Sequence, residues 1–398
     1  MSSNAQRAPR ALLVGSSFSA APMFFALKKR GLTVEVCGNK QSDPCHQYAD
    51  ASHYFDYSDR DALLKLVQAQ RYDYLVPTCN DYSYLASTWV AAQLGYGGFD
   101  TLETAAILHT KHRFRAFTEA ADLPAPRSRR QARGEHVDVS GLAYPLLVKP
   151  VDSFSGRGVT KVLAADQLAA AVAAAEAASR SGEIVIEEFV DGTLHSHSAF
   201  IRGGEIVYDV FVDEYCTVYP YQVNCSNHPS ILPEATCAAM RASMQRLIAA
   251  LGLADGLLHT QLIVSGERHW IIECMRRCPG DLYGGLIEHS TGINYTDMFV
   301  QPFIGETLTP RGGGPARPVG RHTISLARSL ANYTFSQRIP AERVHTVPLK
   351  VSGERLDVAP YDKLAILFAE YADFRQMREV TPHLADYVSV RSLEELYG

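Results

Sequence analysis

The amino-acid sequence predicts a parallel α/β domain followed by a larger α+β region. The chain has 398 residues, which is too long for one ordinary hydrophobic core, so we expect two or three domains. Over roughly the first hundred residues, short apolar runs alternate with helical stretches, which is typical of a doubly wound parallel sheet. Further along, strands follow one another with fewer helices between them, which is typical of an α+β arrangement.

The leading domain is predicted from apolar runs that end in small or polar residues. The run ALLVG fits a buried parallel strand. Gly31 stands where the C-terminal glycine of the first helix belongs, and Asp59 is a good N-cap for a later helix. The predicted elements are a strand at 11–15, a helix ending at Arg30, strands at 32–37 and 74–77, and a helix from Asp59 to Gln70.

Polar residues follow two of these strands, at the end where open α/β sheets bind ligands. Ser16 follows the first strand, and Asn80 and Asp81 follow the strand at 74–77. We therefore predict that Ser16, Asn80 and Asp81 contact the substrate, although the ordinary polarity of loops would explain the same residues. A dinucleotide site is not favoured, because no second or third glycine follows Gly15 to admit a pyrophosphate.

Composition and charge argue against several classes of protein. The chain has 46% hydrophobic and 20% charged residues, an ordinary globular composition. Its formal net charge of -5 provides no basic field, so we expect no nucleic-acid partner. We expect no membrane span, and the polar start MSSNAQRAPR does not resemble a secretory signal. The eight cysteines show no C-x-x-C spacing, so we expect reduced thiols in a cytoplasmic protein.

Two segments of linker composition suggest where the chain divides. They lie at 121–126 (ADLPAP) and 311–315 (RGGGP). Residues from about 140 to 195, within the central unit defined below, are expected to form a small lid subdomain. The predicted units are an N-terminal α/β domain at 1–108, a central region at 109–310, and a C-terminal subdomain at 311–398 that completes the fold.

A lysine followed by a glycine-containing loop suggests a phosphate site. The apolar strand at 144–149 ends in Lys149, and the loop SFSGRG follows at 153–158. Backbone N–H groups of such a loop can contact phosphate oxygens, and Lys149 adds a mobile positive charge. No Walker motif is present, and a polar hairpin turn would have much the same sequence. The loop residues predicted to bind the nucleotide are Ser153, Ser155, Gly156 and Gly158.

The stretch EIVIEEFVDGTLHSHSAF at 183–200 is a candidate wall for an adenine pocket. Adenine requires apolar walls and backbone groups of an extended chain, and a ribose requires a polar partner. The stretch can provide both, with His195 as the partner of the ribose. An edge strand with charged outer residues is the alternative interpretation.

A predicted hairpin brings two oxygen-bearing side chains into register. Its strands lie at 256–264 and 268–274. With a three-residue loop at 266–268, Gln261 lies directly across from Glu273. A two-residue or four-residue loop would put them on opposite faces.

The same hairpin is a candidate metal site. Alternation puts Ile271 on the face of Glu273. Oxygens from Gln261 and Glu273 above a phosphate loop suit Mg²⁺, because hard cations take oxygen ligands. Arg276 and Arg277 follow directly, where negative charge would develop during phosphoryl transfer.

The order of these features resembles the ATP-grasp superfamily of ligases. It runs from Lys111 through Lys149 and its loop, then EEFV at 187–190, then Gln261, to the motif ECMRRCPGD at 273–281. The resemblance spans nearly the whole chain, including a leading sheet domain of the kind that precedes the ATP-grasp region in carboxylate–amine ligases. It implies that ATP lies between two α+β subdomains.

The resemblance also implies how the nucleotide is held. Lys111 and Lys149 would hold the α- and β-phosphates, while residues 153–158 close over them. His195 occupies the ribose-contacting place. The adenine would be lined, mostly through backbone groups, by Glu187, Glu188, Phe189 and Val190.

The motif around Glu273 implies the metal and catalytic roles. Glu273 is the expected Mg²⁺ ligand, with Mn²⁺ as an alternative ion, and Arg277 is expected to act with Lys149 on the transferring group. Two positions depart from the family pattern: Gln261 replaces the usual Glu, and Met275 replaces an Asn ligand. A thioether is a poor ligand for Mg²⁺, so the number of ions is left open.

Together these observations predict an enzyme that joins a carboxylate to an amine. ATP phosphorylates the carboxylate, and the amine attacks the acyl phosphate to leave an amide, ADP and phosphate. Such catalysis is mostly positioning and electrostatics, so no nucleophilic triad is required. By family analogy we expect amino acids or another small metabolite as substrates and a possible homodimer. Arg276 and Arg321 are further expected substrate contacts, since a guanidinium suits a carboxylate.

Two alternatives remain open at this stage. The first is a nucleotide-binding protein that kept the fold and lost turnover, suggested by Gln261 and Met275. The second is a bicarbonate-activating enzyme like biotin carboxylase, whose layout is similar. The sequence contains no Met-Lys-Met biotinylation motif, although a carrier can be a separate protein.

Overall fold

A computed structural model describes residues 7–153, 156–351 and 353–397. The chain begins with a four-stranded parallel sheet in the order β3-β2-β1-β4. The predicted alternation of strands and helices is therefore confirmed. The strands are β1 (Arg10–Val14), β2 (Thr33–Cys37), β3 (Ala51–His53) and β4 (Tyr74–Pro77), and the helices are α1 (Ala21–Lys28), α2 (Cys45–Tyr48), α3 (Arg60–Gln70) and α4 (Asp81–Leu94).

Side-chain caps begin two helices of this domain, and the one at Asp59 was predicted from the sequence. The Asp59 carboxylate accepts from the backbone N–H groups of Asp61 and Ala62 at the start of α3. Asn80 caps α4 by accepting from the N–H of Tyr82. This cap sets Asp81 at the first position of α4, directly beyond the carboxyl end of β4.

Two short helices connect this domain to the next sheet. They are α5 (Leu102–His109) and α6 (Lys111–Ala120), and Thr101 caps the first of them. Beyond α6, the predicted linker at 121–126 passes against the large sheet, where the Pro124 carbonyl accepts from the Ile271 N–H at 2.7 Å.

A small antiparallel sheet follows, in the order β5-β8-β6-β7. It contains most of the predicted lid region, but its first strand begins before residue 140. We call this sheet and its helix the lid. Its elements are β5 (Ser128–Gln131), β6 (Leu146–Pro150), β7 (Thr160–Val162), α7 (Leu168–Ala178) and β8 (Ile184–Glu188).

The rest of the chain builds an eight-stranded antiparallel sheet in the order β13-β12-β9-β10-β11-β14-β17-β16. The predicted hairpin of β12 and β13 is at one edge. Strands β15 and β18 pair separately. The strands are β9 (Thr193–Arg202), β10 (Glu205–Tyr215), β11 (Cys225–His228), β12 (Gly256–Ser265), β13 (Arg268–Met275), β14 (Val319–Ile324), β15 (Tyr333–Gln337), β16 (Arg343–Pro348), β17 (Ala365–Glu370) and β18 (Val388–Ser392).

The two faces of the large sheet are covered differently. The back face packs on α8 through an apolar core that includes Met240, Met244, Leu258 and Leu262. The opposite face, which we call the front face, packs partly on α9 and α10 and partly on the N-terminal domain. The helices of this part are α8 (Glu234–Leu251), α9 (Tyr283–Thr291), α10 (Tyr295–Val300), α11 (Phe374–Val380) and α12 (Leu393–Tyr397).

Strands β14, β16 and β17, which lie beyond residue 311, belong to the large sheet. The C-terminal part of the chain therefore extends the same sheet, and the two predicted boundaries between the three units stay predictions. Within the described ranges, the structure has no helix that combines the length and the apolar character needed to span a membrane.

Candidate active site

The hairpin of β12 and β13 sets the register of the site. Ser265 pairs with Arg268, so the turn has two residues rather than the three that the sequence analysis required. A β-bulge at Ile272 then shifts the register by one residue and brings Gln261 opposite Glu273. The predicted loop length was wrong, but the predicted pairing is present because the bulge compensates for it.

The bulge also changes which face its neighbours occupy. Ile271 pairs with Leu262 and contacts the α8 side of the sheet, so its predicted place on the face of Glu273 was wrong. Beyond the bulge, Glu273 and Met275 point to the front face, and Cys274 packs into the core on the back face.

A row of polar side chains crosses the front face over six strands. Residues paired across neighbouring strands point to the same face. The register aligns Glu273, Gln261 and Ser196 across β13, β12 and β9, and it aligns Glu214, Ser226 and Arg321 across β10, β11 and β14. Ser196 itself pairs with Val212, and Glu214 lies two residues further along β10, so both sets share the front face.

A buried ionic cluster lies where the lid meets the large sheet. Lys149 on β6 forms an ion pair with Glu187 on β8. The second oxygen of Glu187 accepts from Nε of Arg115 at 2.8 Å. All three side chains are at most 10% exposed. Burial alone would raise the pKa of Glu187, but Arg115 and Lys149 lower it to about 2.

Burial lowers the pKa of Lys149, and the nearby charges of Arg115 and Lys111 add to this effect, while Glu187 opposes it. Two cations thus share one carboxylate, with Lys111 close by. A cluster of this charge is suited to receive phosphate oxygens. Arg115 was missed by the sequence analysis; its only local signal is its position one helical turn after Lys111.

The loop after Lys149 is held from two sides. Nζ of Lys111 donates to the carbonyl oxygens of Ser153 and, at 3.4 Å, Val151. Gly156 and Gly158 both have positive φ, and a Cβ on Gly156 would lie 2.5 Å from the Pro220 carbonyl oxygen. Glycine is therefore required at position 156, where this loop approaches the segment between β10 and β11. Ser155 lies outside the described residues.

Arg277 reaches from the end of β13 to the N-terminal domain. Its Nε and Nη2 donate to the two carboxylate oxygens of Asp81 at 2.7 and 3.2 Å. His109 contacts Asp81 through Nδ1 at 3.1 Å and accepts the Arg276 N–H at Nε2. Burial alone would lower the pKa of Arg277, but Asp81 and, more weakly, Glu273 raise it above its usual range. Arg277 therefore stays a cation within the field of Glu273.

Residues 142–283 match the family model described as ATP-grasp domain. This part of the chain is therefore similar to the ATP-grasp domain. In Bordetella parapertussis, a relative named formate-dependent phosphoribosylglycinamide formyltransferase is 28% identical over 284 residues, which are 68% of this chain and 69% of that protein. A relative of the same name in Geobacter metallireducens is 24% identical over 399 residues, which cover 97% and 98% of the two chains.

Solved structures show the same fold over nearly the whole chain. The L-amino acid ligase from Bacillus licheniformis has a TM-score of 0.78 at 19% identity and covers 97% of this chain and 99% of its own. The phosphoribosylglycinamide synthetase from Anaerococcus prevotii has a TM-score of 0.77 at 14% identity and covers 96% and 99%. The fold is thus that of the ATP-grasp ligases, as the sequence analysis predicted.

The stretch EEFV at 187–190 runs beyond the C-terminal end of β8, which is an inner strand of the lid sheet. The Glu188 carboxylate accepts from Arg127 and from the Ala143 N–H. The Phe189 ring lies under Nζ of Lys161, 3.5 Å from the ring centroid. Val190 follows at the end of the stretch. The adenine-lining role of this stretch, with the backbone of Glu187 at its start, stays a prediction.

His195 lies on the back face, because its neighbour Ser196 is the residue that pairs with Gln261. Its Nδ1 lies 2.9 Å from Asp213, and its Nε2 lies 2.7 Å from the Thr193 hydroxyl. Both ring nitrogens are therefore engaged within the sheet. This placement does not favour the ribose contact, which stays a prediction.

Three of the predicted substrate residues, Ser16, Asn80 and Arg276, form hydrogen bonds within the protein. Ser16 donates to Asp43 at 2.8 Å, and Asn80 caps α4. Arg276 is 3% exposed and binds Asp100 and the carbonyls of Leu257 and Ala254. Those contacts join domains, so a structural role for Arg276 is favoured and its substrate contact stays a prediction.

Arg321 lies at the end of the polar row, beside Asp281. It donates to the Asp281 carbonyl at 2.9 Å and to the Ser226 hydroxyl at 2.8 Å. The Asp281 carboxylate forms an ion pair with Lys363 and accepts from Thr323 at 3.2 Å. Asp281 has φ of +56°, and such strained backbone is often found at functional sites. The sequence analysis named neither Asp281 nor Lys363 as a site residue.

The side chains of Gln261 and Glu273 fit a magnesium site. The two residues pair across the hairpin and face the same side of the sheet, and the Arg277 guanidinium lies near enough to interact with Glu273. Oxygen donors of this kind suit Mg²⁺ and Mn²⁺. Met275, which is 7% exposed, adds only a thioether to that surface.

Proposed function

We propose that the protein is an ATP-dependent ligase that forms an amide through an acyl phosphate. A carboxylate oxygen attacks the γ-phosphorus of ATP, and the bond to the β–γ bridging oxygen breaks to release ADP. An amine nitrogen then attacks the acyl carbon, the bond to the phosphate oxygen breaks, and the amine loses a proton. The products are the amide, ADP and phosphate.

The observation that carries this proposal is the meeting of three charged groups on an ATP-grasp fold. Lys149 with Arg115 lies on the lid side, the carboxylate of Glu273 lies on the front face, and Arg277 lies beside it. This pattern supplies cations for the phosphates, an anion for their metal and a guanidinium for developing charge. Phosphoryl transfer requires little more than such positioning and electrostatics.

In this proposal each of the charged residues of the site has its own role in the reaction. Lys111 and Lys149 bind the phosphates beneath the loop at 153–158. Glu273 and Gln261 would hold Mg²⁺, which neutralises phosphate charge when bound. Arg277, aimed by Asp81, stabilises the transferring group. The lid covers the nucleotide and excludes water, which limits hydrolysis of the acyl phosphate.

Asp281, Arg321 and Lys363 lie together at one end of the site, which we call the acceptor end. This end suits a small molecule with both acidic and basic groups. Asp281 provides a carboxylate for an amine, while Arg321 and Lys363 provide cations for an acid. We therefore propose amino acids as the substrates. Location in the cytoplasm and assembly as a homodimer stay predictions.

A second candidate function is the transfer of formate to phosphoribosylglycinamide. It is favoured by the 28% identity to the Bordetella relative that carries that name. The Asp281–Lys363 ion pair favours it less, because either substrate must replace that pair. A phosphate would offer a partner to Lys363 only, whereas an amino acid offers an ammonium to Asp281 and a carboxylate to Lys363.

ADP release from MgATP tests the proposal. The protein is incubated with pools of amino acids, with formate and phosphoribosylglycinamide, and with bicarbonate alone. ADP that forms only when an acid and an amino acid amine are both present supports the proposed function. ADP with formate and phosphoribosylglycinamide would support the second candidate, and ADP with bicarbonate alone would support a carboxylase. ATP binding without ADP in any pool would support a nucleotide-binding protein that has lost turnover.

A further inference from the structure

Glu214 lies against the predicted cation site, although it comes from a strand two places away. The Nε2 of Gln261 on β12 donates to the carboxylate of Glu214 on β10 at 3.1 Å. Strand β9 runs between them, and its Ser196 also hydrogen-bonds Glu214. Glu214 is 5% exposed. A buried carboxylate thus lies next to the residue that replaces the usual acidic ligand.

The hydrogen bond determines how the Gln261 amide is oriented. A carboxylate only accepts hydrogen bonds, so the NH₂ group of Gln261 must face Glu214. The amide oxygen Oε1 is therefore turned away from Glu214. Strand β13, which carries Glu273, lies on the other side of β12. The pair thus presents an oxygen, rather than an NH₂ group, toward Glu273.

The same contact explains why position 261 holds an amide. A glutamate there would place two carboxylates about 3.1 Å apart in a buried setting, which is strongly unfavourable without a cation between them. An amide avoids this repulsion and leaves the carboxyl group of Glu214 as the one acidic group of the pair. Burial raises the pKa of Glu214, although Ser196, Arg321 and Gln261 oppose the shift. Gln261 and Glu214 together therefore retain one carboxylate and one ligand oxygen.

We propose that Glu214 is a positioning residue of the cation site, which orients Gln261 and supplies the negative charge that its amide lacks. This inference rests on the proposed function, because it assumes that Gln261 and Glu273 hold a divalent cation. It predicts that the two side chains of the pair are exchangeable: glutamate at 261 with glutamine at 214 preserves both the hydrogen bond and the net charge.

Binding of Mn²⁺ tests the inference without any turnover. Free and bound Mn²⁺ are distinguished by electron paramagnetic resonance. The nucleotide present is an ATP analogue in which an NH group replaces the oxygen that bridges the β- and γ-phosphates. Partners that orient metal ligands contribute roughly 10–100-fold in affinity. Glu214→Gln is therefore expected to weaken Mn²⁺ binding at least about tenfold, and the double variant Gln261→Glu with Glu214→Gln to restore it to within about threefold.

A second readout needs no metal. Gln261→Glu alone is expected to lower the thermal midpoint of the metal-free protein, because it creates the carboxylate pair, and the double variant to recover it. The matched control is Asp209→Asn, on the same strand β10 but bonded to His197 and Arg241 on the back face. It is expected to leave Mn²⁺ affinity unchanged.

The outcomes separate this inference from the function on which it rests. If the unaltered protein binds Mn²⁺ but Glu214→Gln binds it equally well, the role of Glu214 is wrong and the proposed ligase stands. Failure of the double variant to improve on the single variants would likewise overturn the pairing. If the unaltered protein with bound nucleotide analogue binds no Mn²⁺, the cation site itself is wrong, and so is the proposed function.

Discussion

The guanidinium of Arg115 donates from Nη2 to the carbonyl oxygen of Ile272 across 2.8 Å. Ile272 is the bulged residue that brings Gln261 opposite Glu273. The same guanidinium donates from Nε to Glu187, the partner of Lys149. One side chain therefore connects the lid lysine to the irregularity that sets the register of the predicted metal ligands.

Arg115→Lys tests this connection. Lysine keeps the charge but lacks the planar fork that reaches Glu187 and the Ile272 carbonyl together. We expect kcat for ADP formation to fall about 100-fold, since small misplacements of catalytic groups have effects of that size. We also expect the Mg²⁺ concentration for half-maximal rate to rise. The control is Arg113→Lys on the same helix, which pairs with exposed Glu103. An unchanged Mg²⁺ dependence in Arg115→Lys would contradict the connection.

Glu273→Gln removes the predicted metal-binding charge with little change of shape. We expect ADP formation to be abolished while ATP binding, measured by equilibrium dialysis, is partly retained through Lys111 and Lys149. Glu267→Gln is the matched control, because Glu267 lies in the exposed turn of the same hairpin. Normal turnover by Glu273→Gln would mean that the metal assignment is wrong.

Asp81→Asn tests whether the N-terminal domain aims the arginine. Asparagine keeps the shape but replaces the two-oxygen ion pair with Arg277 by a weaker contact. We expect kcat to fall about 10–100-fold with little change in ATP affinity, because Asp81 contacts Arg277 rather than the nucleotide cluster. Asp59→Asn is the control, since asparagine is also a good N-cap for α3. A raised KM for the amine with unchanged kcat would instead favour the predicted substrate contact.

The sequence predicted the parts of the fold that depend on local pattern. Apolar runs, turn residues and helix caps placed the parallel sheet and the hairpin, because periodicity and capping act within a few residues. The turn length and the side of Ile271 were wrong. Their cause is the bulge at Ile272, whose carbonyl is held by Arg115 from α6. The sequence of the hairpin alone therefore does not predict the contact with Arg115.

The same reasoning explains which site residues were missed. Glu214 meets Gln261 only because β9 separates β10 from β12, and strand order is not encoded in local alternation. Asp281 meets Lys363 although the two are 82 positions apart in the chain. The family resemblance located Lys149 and Glu273 but did not indicate the partners that hold them.

Met275→Asn restores the oxygen ligand that the family pattern has at this position. Met275 is 7% exposed on the front face, opposite His259. We expect activity to be preserved or raised and Mg²⁺ affinity to increase, since an amide oxygen is a better ligand than a thioether. The measurement is the Mg²⁺ titration of ADP formation, with Met275→Leu as the control for packing. A complete loss of activity would mean that Met275 packs or contacts substrate.

Acid sensitivity is expected from a buried histidine beside the site. Burial lowers the pKa of His228 to about 4, although Asp213 opposes the shift. In the folded protein this imidazole stays neutral between pH 6.5 and about 4, whereas the unfolded chain binds the proton. The unfolded state therefore holds more protons in that window, and the free energy of unfolding falls as the pH is lowered through it.

His228→Asn removes this term while keeping a partner for Ser290, whose hydroxyl lies 2.7 Å from Nδ1. We expect the pH dependence of the unfolding free energy, measured by urea titration, to flatten by up to about 1.4 kcal/mol per pH unit. His383→Asn, at a side chain that is 66% exposed, is the control. An unaltered slope in His228→Asn would show that His228 is protonated in the folded protein and that the acid sensitivity arises elsewhere. His322 would then be the next residue to replace, because burial lowers its pKa to about 4 as well.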